Sequence, residues 1–332
     1  MNGLSPQGAD REVRVAVCMT TFRRPEGAAR ALRALAGQVF PRSGGAAISA
    51  IVVDNDASGS AGPAVEAERA GFPWPLRYAV ETRRGVASAR NRCLDLVPEE
   101  ADYVAFLDDD ERPVPEWLDE LVATARALDA EIVQGPVLSE LEAGTPDWFA
   151  QGRFLELGPF PEGQTLQWGY SGNVLIATVV LRRLGLRFDG RFDRSGGEDQ
   201  HFFIRALRAG VAIHTAPRAI AWESVPASRT NLAYLLRRRF RVGATLALVS
   251  RIERDGPAAL ALRAGKGVAR TGLGLAHAAI AWPFGRRRLA EALSGAAFGA
   301  GMLAGLVGYD SREYDTIHGA TAPAVAPPPE AS

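Results

Sequence analysis

Four consecutive acids, Asp108, Asp109, Asp110 and Glu111, follow directly on the apolar run Tyr103-Val-Ala-Phe-Leu107. Such a run, bounded by turn signals, reads as a buried central strand. The acids then stand at its carboxyl end, the edge at which open α/β sheets bind ligands. Carboxylates crowded in this way repel one another unless a cation neutralises them. Asp108 and Asp110, at alternate positions, suit a hard divalent ion, Mn²⁺ or Mg²⁺, which keeps waters and takes a substrate diphosphate as further ligands. The plainer alternative is a solvated acidic loop capping the helix expected from about Pro115-Glu-Trp-Leu118. A second place of the same kind is Gly196-Gly-Glu-Asp199. Its glycines free the backbone, and Glu198 and Asp199 open a helix whose apolar face is Phe202, Phe203 and Ala206. A helix start also favours acids for dipole reasons alone.

The elements that position these residues alternate regularly. Strands are predicted over 13–19, 50–53, 76–80 and 103–107, with helices over 26–39, 63–70 and 83–96 between them. That alternation predicts an α/β fold with a doubly wound, mostly parallel sheet. The loops after its strands fall on one edge: Thr20, Thr21 and Arg23; Asp54 and Asn55; Arg84, Arg90 and Asn91; and the acids 108–110. Carboxylate and amide groups suit a base and ribose, the acids a metal-bound diphosphate, and the arginines negative charge. A nucleoside diphosphate satisfies all four loops. Neither a P-loop nor a G-x-G-x-x-G turn follows the first strand, which excludes those nucleotide-binding classes. Beyond residue 130 the pattern loosens. A strand is expected over 131–138, an aromatic loop folding over the site at 146–169, a strand over 170–176 and a short helix over 181–184. The aromatic residues Trp148, Phe149, Trp168, Tyr170 and Trp222 are suited to stacking on sugar rings.

Composition narrows the class. The 332 residues are 47% hydrophobic, enough for a large core, and 38 basic against 38 acidic side chains leave no net charge. Nothing global therefore argues for nucleic acid as a partner. Cys18 and Cys93, on a predicted strand and helix, give no disulfide or zinc spacing and read as reduced core thiols of a cytosolic compartment. Residues 1–12 lack a signal pattern and read as a disordered leader, and the Ala- and Pro-rich residues 311–332 as a disordered tail.

Five pieces in order, Val15-Ala-Val-Cys-Met-Thr-Thr-Phe-Arg-Arg-Pro25, Val52-Val-Asp-Asn55, Gly85 with Ala89-Arg-Asn91, Leu107-Asp-Asp-Asp-Glu-Arg-Pro113 and Gly197-Glu-Asp199, resemble the inverting family 2 glycosyltransferases of the GT-A fold. The likeness is strongest to the bacterial exopolysaccharide, succinoglycan-type enzymes. It implies a nucleotide-sugar donor, with Thr20, Thr21 and Arg23 along the nucleotide, Asp54 on the base or ribose, and Arg90 and Asn91 lining the donor pocket. It also implies a D-x-D motif in which Asp108 lies near the ribose, Asp110 on the metal and Asp109 assists. Asp199 of the Glu198–Asp199 pair matches the catalytic base. Many relatives carry a His after that helix, where this chain reads Ile220-Ala-Trp-Glu-Ser224. A sugar-phosphate nucleotidyltransferase would show a Gly-rich, Arg-containing loop after the first strand, which is lacking here. A degenerate, non-catalytic membrane scaffold would not keep Asp110 and Asp199.

Residues 13–224 are thus expected to form the catalytic domain and 225–257 a basic helical connector containing Arg237-Arg-Arg-Phe-Arg241. Residues 258–310 follow as apolar or amphipathic helices, rich in Ala, Leu and Gly. A spanning hairpin of 258–284 and 289–309 would place Arg286, Arg287 and Arg288 across the bilayer, against the positive-inside tendency. Helices lying in the membrane plane avoid that conflict. The reading is a membrane-associating appendage that holds the enzyme, peripheral or monotopic, on the cytoplasmic face of the inner membrane. There it would extend a lipid-linked or oligosaccharide acceptor. The alternative is two helices packed on the catalytic domain or forming a dimer through Gly295, Gly299 and Gly305.

Overall fold

The structure, a computed structural model, describes residues 12–309 except 194. All but residue 12 of the expected leader, and the whole expected tail, lie outside these residues. Strands β1 (Val13–Thr21), β2 (Ala46–Asp54), β3 (Leu76–Val80) and β4 (Tyr103–Phe106) alternate with helices α1 (Pro25–Ala36), α2 (Gly62–Arg69) and α3 (Val86–Leu96). The expected helix over 26–39 ends earlier, where Gly37 caps it. The four strands are parallel in the order β3-β2-β1-β4, with Thr21 level with Asp54 and Cys18 level with Phe106. Their carboxyl ends therefore open on one edge, as the alternation requires.

Beyond β4 the chain departs from the simple expectation. After β5 (Glu111–Pro113) and α4 (Trp117–Leu128), the single strand expected over 131–138 divides into β6 (Ile132–Gln134) and β7 (Val137–Leu141), which join different sheets. The division falls at Gly135-Pro136. Proline has no N–H to give a ladder, and a Cβ at Gly135 would stand 2.2 Å from the Ala219 carbonyl oxygen. The loop region expected at 146–169 contains α5 (Asp147–Gly152) and β8 (Thr165–Leu166). The strand expected over 170–176 begins only at β9 (Val174–Ala177), because Asn173 takes a left-handed conformation, φ 52°. β9 runs antiparallel to both β4 and β6. Helices α6 (Thr178–Leu184) and α7 (Glu198–Arg208) lead to β10 (Ile213–Thr215) and β11 (Ala221–Val225). The main sheet reads β3-β2-β1-β4-β9-β6-β10-β8, and a small second sheet reads β5-β11-β7.

Two apolar layers sandwich the main sheet. Leu32, Leu35, Trp117, Leu118 and Leu121 cover one face, and Cys93, Phe202, Phe203 and Val180 the other. Burying each large side chain contributes about 1.5–3 kcal/mol. Cys18 and Cys93 are both buried, free thiols.

The basic run 237–241 sits in the middle of a long helix, not at its end. It lies inside α8 (Leu232–Ile252), and α9 (Pro257–Ala281) and α10 (Arg286–Leu306) follow. α10 packs between α8 and α9 at backbone distance. A Cβ would come within 1.9 Å of the Phe240 carbonyl oxygen at Gly301, 2.2 Å of that of Ala244 at Gly305, and 2.6 Å of Thr271 N at Gly299. Among the described residues α10 is the one helix long and apolar enough to cross a membrane, and half of that stretch is buried by its neighbours. α9 and the turn after it also expose large apolar side chains, among them Leu262, Leu273, Ile280 and Trp282, and Val307 is exposed at the end of α10.

Candidate active site

The carboxyl edge of β1–β4 opens into a cleft of about 650 Å³ whose floor is the acidic loop. The loop is braced from both sides. Thr21 Oγ1 donates to Asp109 Oδ2 at 2.7 Å, and Arg24 Nη1 donates to Asp109 Oδ1 at 3.0 Å and Asp110 Oδ2 at 2.9 Å. Glu111, at the start of β5, accepts from the Asp108 amide at 3.1 Å. Burial pushes the carboxyls of Asp109 and Glu111 upward; Arg24 opposes this at Asp109, and Asp108 reinforces it at Glu111. Across the small sheet Glu223 stands level with Glu111, and burial with Asp110 nearby raises it to about 7. Arg229 balances that wall, 3.0 Å from Glu223 and 3.7 Å from Asp110.

The second acidic place forms the opposite wall. Gly197, at φ 94°, opens α7, and a Cβ there would meet Thr245 of α8 at 2.1 Å. Glu198 turns inward, 2% exposed, while Asp199 is half-buried on the cleft side. Arg90 of α3 ties the two acidic places together. One terminal nitrogen donates to Glu198 and the other to Asp108 Oδ1 at 3.0 Å. Burial raises Glu198 to about 7 despite Arg90, and it raises Asp199 above the ordinary carboxylate range. Asp193 ties the loop before α7 to the start of α3, accepting from Ser88 N and Oγ at 2.8 Å each. Gly85, at φ 151°, is needed there, since a Cβ would lie 2.1 Å from the Asp193 carboxyl.

Of the residues singled out in the sequence, Thr20, Thr21, Asn55, Arg84, Arg90, Asp108, Asp109, Asp110, Glu198 and Asp199 all face this cleft. Three do not line it. Asp54 is fully buried, and its oxygens accept from the amides of Asp56 and Ala61 and from Tyr78 Oη, so it builds its loop and presents Asn55 instead. Asn91 bonds both ways to the Phe188 backbone. Arg23 points outward, its side chain 55% exposed and 3.2 Å from Asp56. Of the aromatic set only Tyr170 reaches the cleft, while Phe149 is core. Sequence reasoning missed Arg24, Glu223 and Arg229, and it missed that Arg238 and Arg241 of α8 enter the cleft. The doubled arginine of Thr-Phe-Arg-Arg-Pro was the signal for Arg24; no local signal marked the others.

The family model "Glycosyl transferase family 2" matches residues 16–185, and "Glycosyl transferase family group 2" matches 103–278. The succinoglycan biosynthesis protein ExoM of Rhizobium meliloti is 39% identical over 231 residues, 70% of this chain and 72% of that protein. The chain belongs to glycosyltransferase family 2. As a member of that family it is a glycosyltransferase. The pre-mycofactocin glycosyltransferase of Mycobacterium tuberculosis is 30% identical over 61% of this chain and 44% of its own length. Among solved structures, the mannosyltransferase PcManGT of Pyrobaculum calidifontis, in complex with GDP-Man and Mn²⁺, superposes with a TM-score of 0.57. It is 20% identical, and the match covers 90% of this chain and 88% of that one. S. aureus TarS with UDP-GlcNAc gives a TM-score of 0.50 at 15% identity, covering 88% and 91%. These likenesses establish the GT-A fold.

Proposed function

We propose that this transferase moves a sugar, with inversion, from a nucleotide-sugar donor, a UDP-hexose, to a hydroxyl of a lipid-linked glycan in polysaccharide biosynthesis. The observation that carries the reading is the pairing of the acidic loop with Asp199 across one cleft. The acidic loop has the chemistry to hold a divalent cation: oxygen ligands only, an excess of negative charge, and Asp110 at the cleft surface. Among the described residues no three or more His, Cys, Asp or Glu side chains form a cage by themselves. A Mn²⁺ or Mg²⁺ ion held by one or two carboxylates together with substrate phosphates and waters needs no such cage. Asp110, with Asp108, would hold it. When bound, the ion would stabilise the charge that builds on the departing diphosphate.

The chain's own residues supply the rest. The acceptor hydroxyl is a weak nucleophile until a carboxylate takes its proton. Asp199 is half-buried and faces the cleft, and burial raises its carboxyl above the ordinary aspartate value despite Arg90, which makes it a stronger base than a solvated carboxylate. Glu198 is held by Arg90 and orients the start of α7. With Asp199 as the base, a single displacement from the opposite face needs no protein nucleophile and gives a β-linked product from an α-configured donor. Arg84 sits over the Phe22 ring at 4.9 Å, where its charge can meet nucleotide phosphate.

Association with the cytoplasmic face of the inner membrane fits α9. It has no acidic residue, exposes Leu262, Leu273 and Ile280, and is followed by Trp282, Phe284 and Arg286–Arg287–Arg288. An in-plane helix with arginines at the headgroups matches this pattern. The functional test is donor hydrolysis over a panel of nucleotide sugars, with and without Mn²⁺. Metal-dependent release of a nucleoside diphosphate supports sugar transfer. Release of pyrophosphate would instead indicate a nucleotidyltransferase, and neither product a non-catalytic scaffold.

A further inference from the structure

The two carboxylates that Arg24 joins are not held equally. Asp109 is 7% exposed and accepts from Thr21 Oγ1 as well as from Arg24. The Asp110 side chain is 21% exposed and turned to the cleft, and its Oδ2 meets Arg24 Nη1 at 2.9 Å with Arg229 at 3.7 Å. The same Arg24 nitrogen serves both acids. Its guanidinium can therefore release Asp110 and keep Asp109, which has the deeper and better-braced carboxylate. Arg24 lies half-buried where β1 gives way to α1. Just behind it Gly27 lets α1 lie against the loop, since a Cβ there would stand 2.7 Å from the Asp109 carbonyl oxygen.

We propose that Arg24 is the resident counter-ion of Asp110, competing with the divalent cation for that carboxylate, so that metal enters with the nucleotide and not ahead of it. The inference rests on the reading of Asp110 as the metal-holding residue given above. Charge arithmetic explains the order. A bare cation arriving alone must displace a guanidinium that already neutralises Asp110, while a cation carrying a diphosphate brings extra ligands and negative charge that the released Arg24 can face. In this account Arg24 is a positioning residue that sets the sequence of binding.

The test is Mn²⁺ affinity, read from the loss of the free-ion electron paramagnetic resonance signal, for the full chain and for Arg24→Gln, each with and without UDP. A charge-assisted hydrogen bond removed from the competition corresponds to about tenfold or more in affinity. Arg24→Gln is expected to bind Mn²⁺ alone at least that much more tightly than the unaltered chain, and the gap is expected to narrow when UDP is present. Arg24→Lys, which keeps the charge, should stay near the unaltered chain, and thermal melting of both variants checks that they are folded. Equal Mn²⁺ affinity of folded Arg24→Gln and the unaltered chain without UDP, with both binding in its presence, would overturn the proposal and leave the metal assignment standing. Failure of every form to bind Mn²⁺ even with UDP would remove the metal reading itself, and this proposal with it.

Discussion

Arg90 and Glu198 form a buried ion pair, their side chains 7% and 2% exposed, in which α3 holds the first residue of α7. Arg90 also bonds Asp108 at 3.0 Å, so the pair connects the base-bearing wall of the cleft to the acidic loop. Removing one partner of a buried pair leaves an uncompensated charge and costs about 3–5 kcal/mol. Arg90→Met is expected to lose stability on that scale in urea unfolding. The double variant Arg90→Met with Glu198→Gln should recover part of it, because the stranded carboxylate is gone. Additive losses would show that the two residues act independently.

Asp199→Asn is expected to leave nucleotide affinity nearly unchanged while lowering turnover by about 10²-fold or more, the scale of a lost general base. Calorimetric titration of nucleotide beside steady-state kinetics separates the effects. Parallel loss of binding and turnover would make Asp199 a cap of α7 only.

Asp110→Asn should weaken metal and donor together, since an amide cannot neutralise the ion. Nucleotide titration at several Mn²⁺ concentrations reads this directly. An unchanged metal dependence would remove Asp110 from the metal site.

The pH profile follows from the raised carboxyl of Asp199. A base works only when ionised, so kcat/KM should climb with rising pH through an apparent pKa raised from the ordinary aspartate value and level off beyond it. In Asp199→Asn that limb should flatten in the residual activity. A limb at an ordinary carboxylate pKa, or one that survives the substitution, would assign it to another group.

Leu273 and Ile280 are 72% and 67% exposed on α9, so Leu273→Glu with Ile280→Glu should leave the melting temperature unchanged. If these side chains enter a bilayer at about 1.5–3 kcal/mol each, the double variant should bind anionic vesicles more than tenfold more weakly. Equal vesicle sedimentation of variant and unaltered chain would rule out α9 as the membrane-facing helix. These substitutions are a cleaner test than truncation after α8, which would strip α10 from the groove against Gly243 and leave the cleft arginines of α8 unsupported.

The sequence by itself determined the places where chemistry is concentrated. A β-rich run ending in Asp108–Asp110, and glycines followed by Glu198 and Asp199, are local signals, because strand period, helix starts and turn residues act over a few positions. Alternation of strand and helix was enough to bring the loops of β1–β4 to one edge. Tertiary structure alone decided which charges meet. Arg24 takes the acids while its neighbour Arg23 turns to solvent; Arg90 lies inside as a brace; Asp54 spends its oxygens on its own loop; and Glu223 and Arg229 reach the cleft from β11 and the turn beyond it. It also divided one apolar run at Gly135-Pro136 between two sheets and buried α10 while leaving α9 exposed. The decisive contacts are long-range: Arg24 meets Asp109 across 85 positions, and Arg90 meets Glu198 across 108. Side chains of the same type compete for those partners, and distance and burial settle the competition only once the chain has folded.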